Sequence, residues 1–308
     1  MSFDSAFAPD LSPYQPQEPV LSQPPFDLDE AQANVSSAES SGDQPAPGAA
    51  RDDAFGALAR VYGQQAFDAL AQLRICVVGI GGVGSWAVEA LARTGVGHIT
   101  MIDHDDISTS NINRQLHALR STVEQSKVEV MRERMMQINP QAQIVAEDDF
   151  LAEKNLSHYL DQDYDAVIDA IDNIRFKAAM IAHCRRNKIR IVTTGGAGGR
   201  TDPLAVSVVD LSRTWNDALA AKVRSRLRSD YGFTSNPKRR FGVECVYSSE
   251  QPRYPSGSGQ VSHAKPGVPG ARLDCEQGYG SVSFVTGTFG LVAASRAVNK
   301  SLAQRLRV

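Results

Sequence analysis

The chain has 308 residues, 42% of them hydrophobic and 22% charged, with a formal net charge of −3. That is an ordinary composition for a soluble globular protein, with length enough for a sizeable core in one large domain or two small ones. Its four cysteines (Cys76, Cys184, Cys245 and Cys275) are widely spaced with no C-x-x-C pair, which excludes a disulfide framework and a four-cysteine zinc site.

Residues 1–52 form an expected disordered tail. Up to residue 50 it holds eight of the fifteen prolines, eight Asp/Glu and no Lys or Arg. Such a segment cannot bury enough apolar surface to offset its ordering entropy. It reads as a passive extension, with a tether or a self-masking acidic tail as alternatives. The remaining 258 residues then carry about +5, which permits an anionic partner. No basic segment followed by an apolar stretch opens the chain, so no secretory signal is expected and a reducing cytoplasm is the default.

Order is expected over residues 53–308. Phe55 to Leu73 spaces its apolar residues as a helix pair with Gly63 between. A strand at Ile75–Val78 precedes a helix from Gly82 to Thr94, stopped by Gly95. A second strand, Ile99–Ile102, ends in Asp103. A polar loop leads to a helix over Ser126–Ile138, stopped before Pro140. Short strands at Val145–Ala146 and Ala166–Ile168, a helix over Phe176–Arg186 and a strand at Arg190–Thr194 continue the alternation. The fold class this predicts is α/β, a doubly wound and mostly parallel sheet, with Ala205–Val209 extending it.

Beyond Leu211 the pattern loosens. A basic amphipathic stretch, Lys222–Arg240, leads into Phe241–Tyr247, and the Gly/Pro/Ser-rich run 248–272 reads as a mobile loop. A closing helix over Thr286–Leu302 should pack back on the sheet. The apolar segment Val282–Ala294 is too short to span a bilayer. Loose membrane association through it is the weaker alternative to a cytoplasmic location.

Chemistry concentrates where strands end, because ligands of such sheets sit at the carboxyl edge. Gly79, Gly81, Gly82 and Gly84 follow the first strand in the G-x-G-x-x-G pattern, a turn whose free N–H groups and following helix dipole suit an anion. Asp103, ending the second strand, is placed to accept ribose hydroxyls. To this point NAD and ATP fit equally. The loop after Asp103 adds Asn111, Asn113, Arg114 and Gln115, and Lys127 heads the next helix. Two cations beside the phosphates favour phosphoryl or nucleotidyl transfer, where charge on a triphosphate must be neutralised. A nicotinamide oxidoreductase or a non-catalytic nucleotide sensor are the competing classes. Asp172 and Asn173 lie just past the fourth strand, where Asp172 suits Mg²⁺ with substrate phosphates. Asp169 alternates inward and reads as structural, orienting the glycine turn.

The set RVYG (Arg60–Gly63), GIGGVGS, Asp103, SNINRQ, Lys127 and DAIDN resembles the adenylating fold of ubiquitin-activating enzymes and their bacterial relatives ThiF and MoeB, over about residues 54–300. The resemblance implies a homodimer in which a carboxylate attacks the α-phosphate of ATP, leaving an acyl-adenylate and pyrophosphate. It places Arg60 as the arginine reaching across the dimer, Asn111, Arg114 and Lys127 on phosphates, and Asp172 on magnesium. ThiF and MoeB carry two C-x-x-C zinc pairs that this chain lacks, so no zinc is expected. Action on the C-terminus of a sulfur-carrier protein is accordingly the alternative reading.

ALARTGVGHITMIDHDDI, INRQLHALR, HCRRNKIRIVTTGGAGG, AAKVRSRLRSDYGF and VECVYSSEQPRYP are instead similar to the TcdA (CsdL) branch, the tRNA threonylcarbamoyladenosine dehydratases. That likeness implies ATP-driven activation of the threonyl carboxylate on the adenosine beside the anticodon, then ring closure. A sulfur-relay partner stays open. The residues themselves fit a tRNA partner. Lys222, Arg224, Arg226, Arg228, Lys238, Arg239 and Arg240 put seven positive charges into 19 residues, with Trp215, Tyr231 and Phe233 near enough to stack on bases. Cys245, just ahead of the expected mobile loop, is the candidate for a covalent acyl carrier. Direct attack within the adenylate needs no such thiol.

Overall fold

The computed structural model describes residues 54–256, 259–264 and 280–306. The expected tail, residues 1–52, and the end of the expected mobile loop, 265–272, lie outside the described residues. Two short helices, α1 (Ala59–Tyr62) and α2 (Gln64–Leu70), are parted by Gly63 at φ +80° and precede β1 (Arg74–Val78). Then come α3 (Gly84–Arg93), β2 (His98–Ile102), α4 (Lys127–Ile138) and β3 (Gln143–Glu147). The second half runs through α5 (Leu156–Leu160), β4 (Ala166–Asp169), α6 (Ile174–Arg186), β5 (Ile191–Thr194) and β6 (Val206–Asp210). It continues with α7 (Ala218–Tyr231) and β7 (Glu244–Ser248). A small hairpin, β8 (Tyr254–Pro255) and β9 (Val261–Ser262), and the long helix α8 (Ser283–Arg305) complete the sequence of elements.

Seven strands form one sheet in the order β3-β2-β1-β4-β5-β7-β6, parallel except for the antiparallel edge strand β6. The apolar runs that announced the strands follow from burial on both faces. Along β1, Ile75 and Val77 enter one core with Leu91, Met131 and Phe289, while Cys76 and Val78 enter the other with Met180, Leu227 and Cys245. Both cores are thus fed by a single strand through its two-residue alternation. From β1 the chain winds outward to β2 and β3, then returns to lay β4 on the other side of β1. That reversal opens a crevice at the carboxyl ends of β1 and β4, and the ligand-binding edge of such sheets lies there.

Three departures from the sequence expectations have physical causes. Residues 244–248 are a strand inserted between β5 and β6, held by parallel pairing to β5 and antiparallel pairing to β6. The run 248–272 is not a single loop, since Tyr254 is buried and Ser256 N donates to Gln260 O at 2.7 Å across the hairpin. Helix α7 starts ahead of the basic stretch because Asp217 Oδ1 accepts the Ala220 N–H at 2.8 Å, a side-chain N-cap. No helix among the described residues is long and apolar enough to cross a membrane.

Candidate active site

The turn after β1 is shaped by two glycines. Gly79 has φ +86°, and a Cβ on Gly84 would lie 1.8 Å from the Gly79 carbonyl oxygen. The turn is tied to the end of β2, where Asp103 Oδ2 accepts the Ile80 N–H at 2.5 Å and Oδ1 accepts the Asp105 N–H at 2.9 Å. The following loop is fastened over it from α3. Ser85 Oγ accepts the Leu116 N–H at 3.2 Å, and the Trp86 indole donates to Arg114 O at 3.0 Å. This is how residues some thirty positions beyond the glycine turn come to stand over it.

A cavity of about 580 Å³ opens there. Gly79, Gly81, Gly82 and Asp103 line it, with Asn111, Arg114 and Gln115 from the loop, Lys127 from the start of α4, and Asp172 and Asn173 from beyond β4. A further part of its wall, the second lobe, is Gly195–Gly198, Arg200, Asp217, Leu219 and Lys222, grouped around Asp217 by its bond to the Gly196 N–H and its approach to Arg200. Gly84 is spent on the start of α3 rather than on the wall. Arg60 is exposed on α1 and does not line the cavity of its own chain. His104, Phe150 and Phe176 stand edge to face along the wall, with successive centroids 4.7 Å apart. Sequence reasoning did not find this apolar flank, because Phe150 lies in an irregular loop.

The charges of the wall differ in how they are held. Of its five carboxylates, Asp103 and Asp217 accept backbone N–H groups, and Asp105 accepts Lys127 Nζ at 2.7 Å. Asp149 accepts the Tyr159 hydroxyl at 2.6 Å. Asp172 is exposed and has no partner among the described residues. On the cationic side, Arg114 donates to Ser110 O and to Asn113 Oδ1, at 2.7 and 3.0 Å. Gln115 is buried with its Oε1 unpaired, an amide oxygen available to a ligand donor. The Asn173 oxygen is occupied as the N-cap of α6, accepting from Arg175 and Phe176 N–H groups.

Behind the wall, Asp169 is fully buried with Lys177, whose Nζ reaches its Oδ1 at 2.9 Å and Ile171 O at 2.8 Å. Thr193 donates to the other carboxylate oxygen at 2.6 Å. Lys177 thereby holds Ile171 against Gly79, whose missing side chain makes the room. Sequence reasoning missed Lys177; the signal was a lysine among alanines and methionine on a helix buried by its neighbours.

Cys245 corrects an expectation. It sits mid-strand in β7, fully buried, and does not line the cavity. Burial pushes its thiol up, with Asp217 adding repulsion, so the reactive thiolate is disfavoured there. The basic stretch also divides. Lys222 faces the cavity. Arg224 is half-buried and donates to Thr214 Oγ1, while Arg226 pairs with Asp230 at 2.9 Å. Arg228 lies over the Phe241 ring at 5.4 Å, and Lys238, Arg239 and Arg240 are exposed beyond α7. A second cavity of about 330 Å³ gathers Arg240, Tyr231 and Phe233 with Arg185 and Arg186 from the end of α6. Neither arginine stood out in sequence as part of the basic surface.

Residues 56–305 match the model of the ThiF family. The tRNA threonylcarbamoyladenosine dehydratase of Escherichia coli K12 is 53% identical over 254 residues, which is 82% of this chain and 95% of that protein. The structure is also similar to E. coli tRNA N6-threonylcarbamoyladenosine dehydratase, TcdA, in complex with ATP. There the TM-score is 0.74 with 49% identity, covering 84% of this chain and 97% of that one. The same protein in complex with AMP gives a TM-score of 0.74 with 48% identity, over 84% and 98%.

Proposed function

This chain belongs to the ThiF family, and from that premise we propose that it is an ATP-dependent tRNA threonylcarbamoyladenosine dehydratase. The observation that carries the reading is 53% identity across nearly the whole length of an enzyme of that name. A zinc-bearing sulfur-carrier activator is less supported, as no C-x-x-C pair is present.

The chemistry follows from the cavity. A threonyl carboxylate oxygen attacks the α-phosphorus of ATP, the bond from the α-phosphorus to the bridging oxygen breaks, and pyrophosphate leaves. An internal nucleophile of the threonylcarbamoyl group then attacks the acyl carbon, releases AMP and loses its proton. The tRNA has lost the elements of water. Gly79–Gly82 N–H groups, Arg114 and Lys127 would hold the phosphates, Asn111 and Gln115 would orient them, and Asp103 would take the ribose. Mg²⁺ fits Asp172, a hard oxygen ligand and, among the described residues, the one wall carboxylate without a partner; a bound ion would neutralise charge on the departing pyrophosphate. We place Arg60 across a homodimer interface, since it is exposed and absent from its own cavity wall. The cations around the second cavity would carry tRNA phosphates, and a cytoplasmic location suits that substrate.

Purified protein is expected to convert ATP to AMP only with threonylcarbamoyl-modified tRNA and Mg²⁺ present, and to yield the cyclic nucleoside. Formation of ADP, or turnover indifferent to the tRNA, would sink the reading.

A further inference from the structure

Adenylation brings two anions together, a carboxylate and a triphosphate, so the wall must offer a cation to each. Four Lys or Arg side chains line the cavity, and three are already engaged. Arg114 is held by Ser110 and Asn113, and Lys127 by Asp105. Arg200, nearly fully buried, donates to Asn216 O at 2.8 Å and lies 3.9 Å from Asp217. Lys222 alone has no hydrogen bond or ion pair among the described residues, and it lines the cavity together with the wall around Asp217 that forms the second lobe. We propose that Lys222 binds the carboxylate of the threonylcarbamoyl group, making the second lobe the subsite for the modified nucleoside. The proposal rests on the function given above.

The placement of Lys222 follows from the helix that carries it. Ala218 and Leu219 line the same lobe one turn earlier, so the i, i+3 and i, i+4 spacings of α7 put the lysine on the cavity face. Arg224, Arg226 and Arg228, further along, do not line it. No described residue pairs with the ammonium. Asp217, the adjacent acid, is fully buried with Oδ2 on the Gly196 N–H at 3.0 Å and Oδ1 on the Ala220 N–H at 2.8 Å. That clamp also explains the second glycine turn, because a Cβ on Gly195 would lie 2.0 Å from Asp217 Oδ2. The turn is therefore pinned to the start of α7, and the lysine extends from a fixed base. A compact ammonium with three donors on a flexible stem suits a carboxylate that must move toward the α-phosphorus. A lysine serving only as a backbone phosphate contact would gain nothing from lining this cavity.

The test compares Lys222→Met and Lys222→Arg with the unaltered protein, using tRNA with and without the threonylcarbamoyl group, and with ATP affinity titrated separately. The preference for modified over unmodified tRNA is expected to fall at least about tenfold in Lys222→Met, the loss of one charge-assisted hydrogen bond. KM for modified tRNA should rise, affinity for unmodified tRNA and for ATP should hold, and Lys222→Arg should recover part of the preference. Equal weakening toward both tRNAs would overturn the proposal in favour of a phosphate contact, and so would an unchanged preference. Unaltered protein that makes no AMP from ATP and modified tRNA would instead refute the function itself. Retained ATP affinity shows that the variant is folded.

Discussion

The buried layer just behind the cavity wall, here its floor, and the exposed rim of the cavity are built from the same kinds of side chain and wired in opposite ways. At the floor, Asp169 is sealed from water and satisfied by Lys177 and Thr193. Three residues on, at the rim, Asp172 is exposed and has no partner among the described residues. Burial pushes the Asp169 carboxyl up against the opposing pull of Lys177, and the ion pair lasts only because every oxygen has a donor. A carboxylate so fully satisfied has no capacity left for a ligand, whereas one left open at a cavity edge does. Floor charges are therefore expected to govern folding, and rim charges to govern turnover.

The hardest blow to the floor is Lys177→Met, which strands a buried carboxylate. Unfolding in urea should show a loss of about 3–5 kcal/mol, and Asp169→Asn added to it should restore a large part. A loss under about 1 kcal/mol would mean that the floor is not held as a pair. At the rim, Asp172→Asn should leave urea stability within about 0.5 kcal/mol while AMP formation falls roughly 10²–10³-fold. Its ATP affinity should also cease to depend on Mg²⁺. Stability loss without loss of turnover would reverse the comparison.

A smaller effect separates the floor from a neighbour it resembles. His117 is 2% exposed with both ring nitrogens unpaired, and burial together with the Lys127 charge lowers it to about 3. Its unfolded value is near 6.5, so the neutral ring favours the native state at neutral pH. As pH falls below about 6.5 the unfolded chain takes up a proton that the native one refuses, and stability drops. By pH 5 the loss should reach about 2 kcal/mol, and His117→Leu should flatten that limb of the stability profile.

Much of this arrangement was legible in sequence because it is local. The runs Ile75–Val78 and Ile99–Ile102 are apolar since the sheet is covered on both faces, and the glycine turn announces itself by spacing. The place of Asp103, Lys127 and Asp172 on the cavity wall was legible because each lies just past a strand or at a helix start, and that of Arg114 because the loop carrying it runs between two of them. What was missed depends on contacts distant in sequence. Lys177 is meaningful only against Asp169, and Lys222 separates from its basic neighbours only once α7 is docked beside Gly195–Gly198. Strand β7 was unreadable for the same reason, since its partners β5 and β6 both precede it.

That unread strand is what misplaced Cys245. Taken as the approach to a loop, it looked like a thiol able to swing toward an adenylate; taken as part of β7, it is a small apolar filler in one core with Leu227. The two placements predict different outcomes for one variant. Cys245→Ala should remove a few buried contacts and cost about 1 kcal/mol in urea unfolding, with AMP formation and cyclic product unchanged once temperature is set below the transition. Cys245→Val, which forces extra volume into a filled core, should cost somewhat more, about 1–3 kcal/mol. A thiol that carried the acyl group would show the reverse, with stability nearly intact and cyclic product lost in both variants, because neither alanine nor valine can form a thioester.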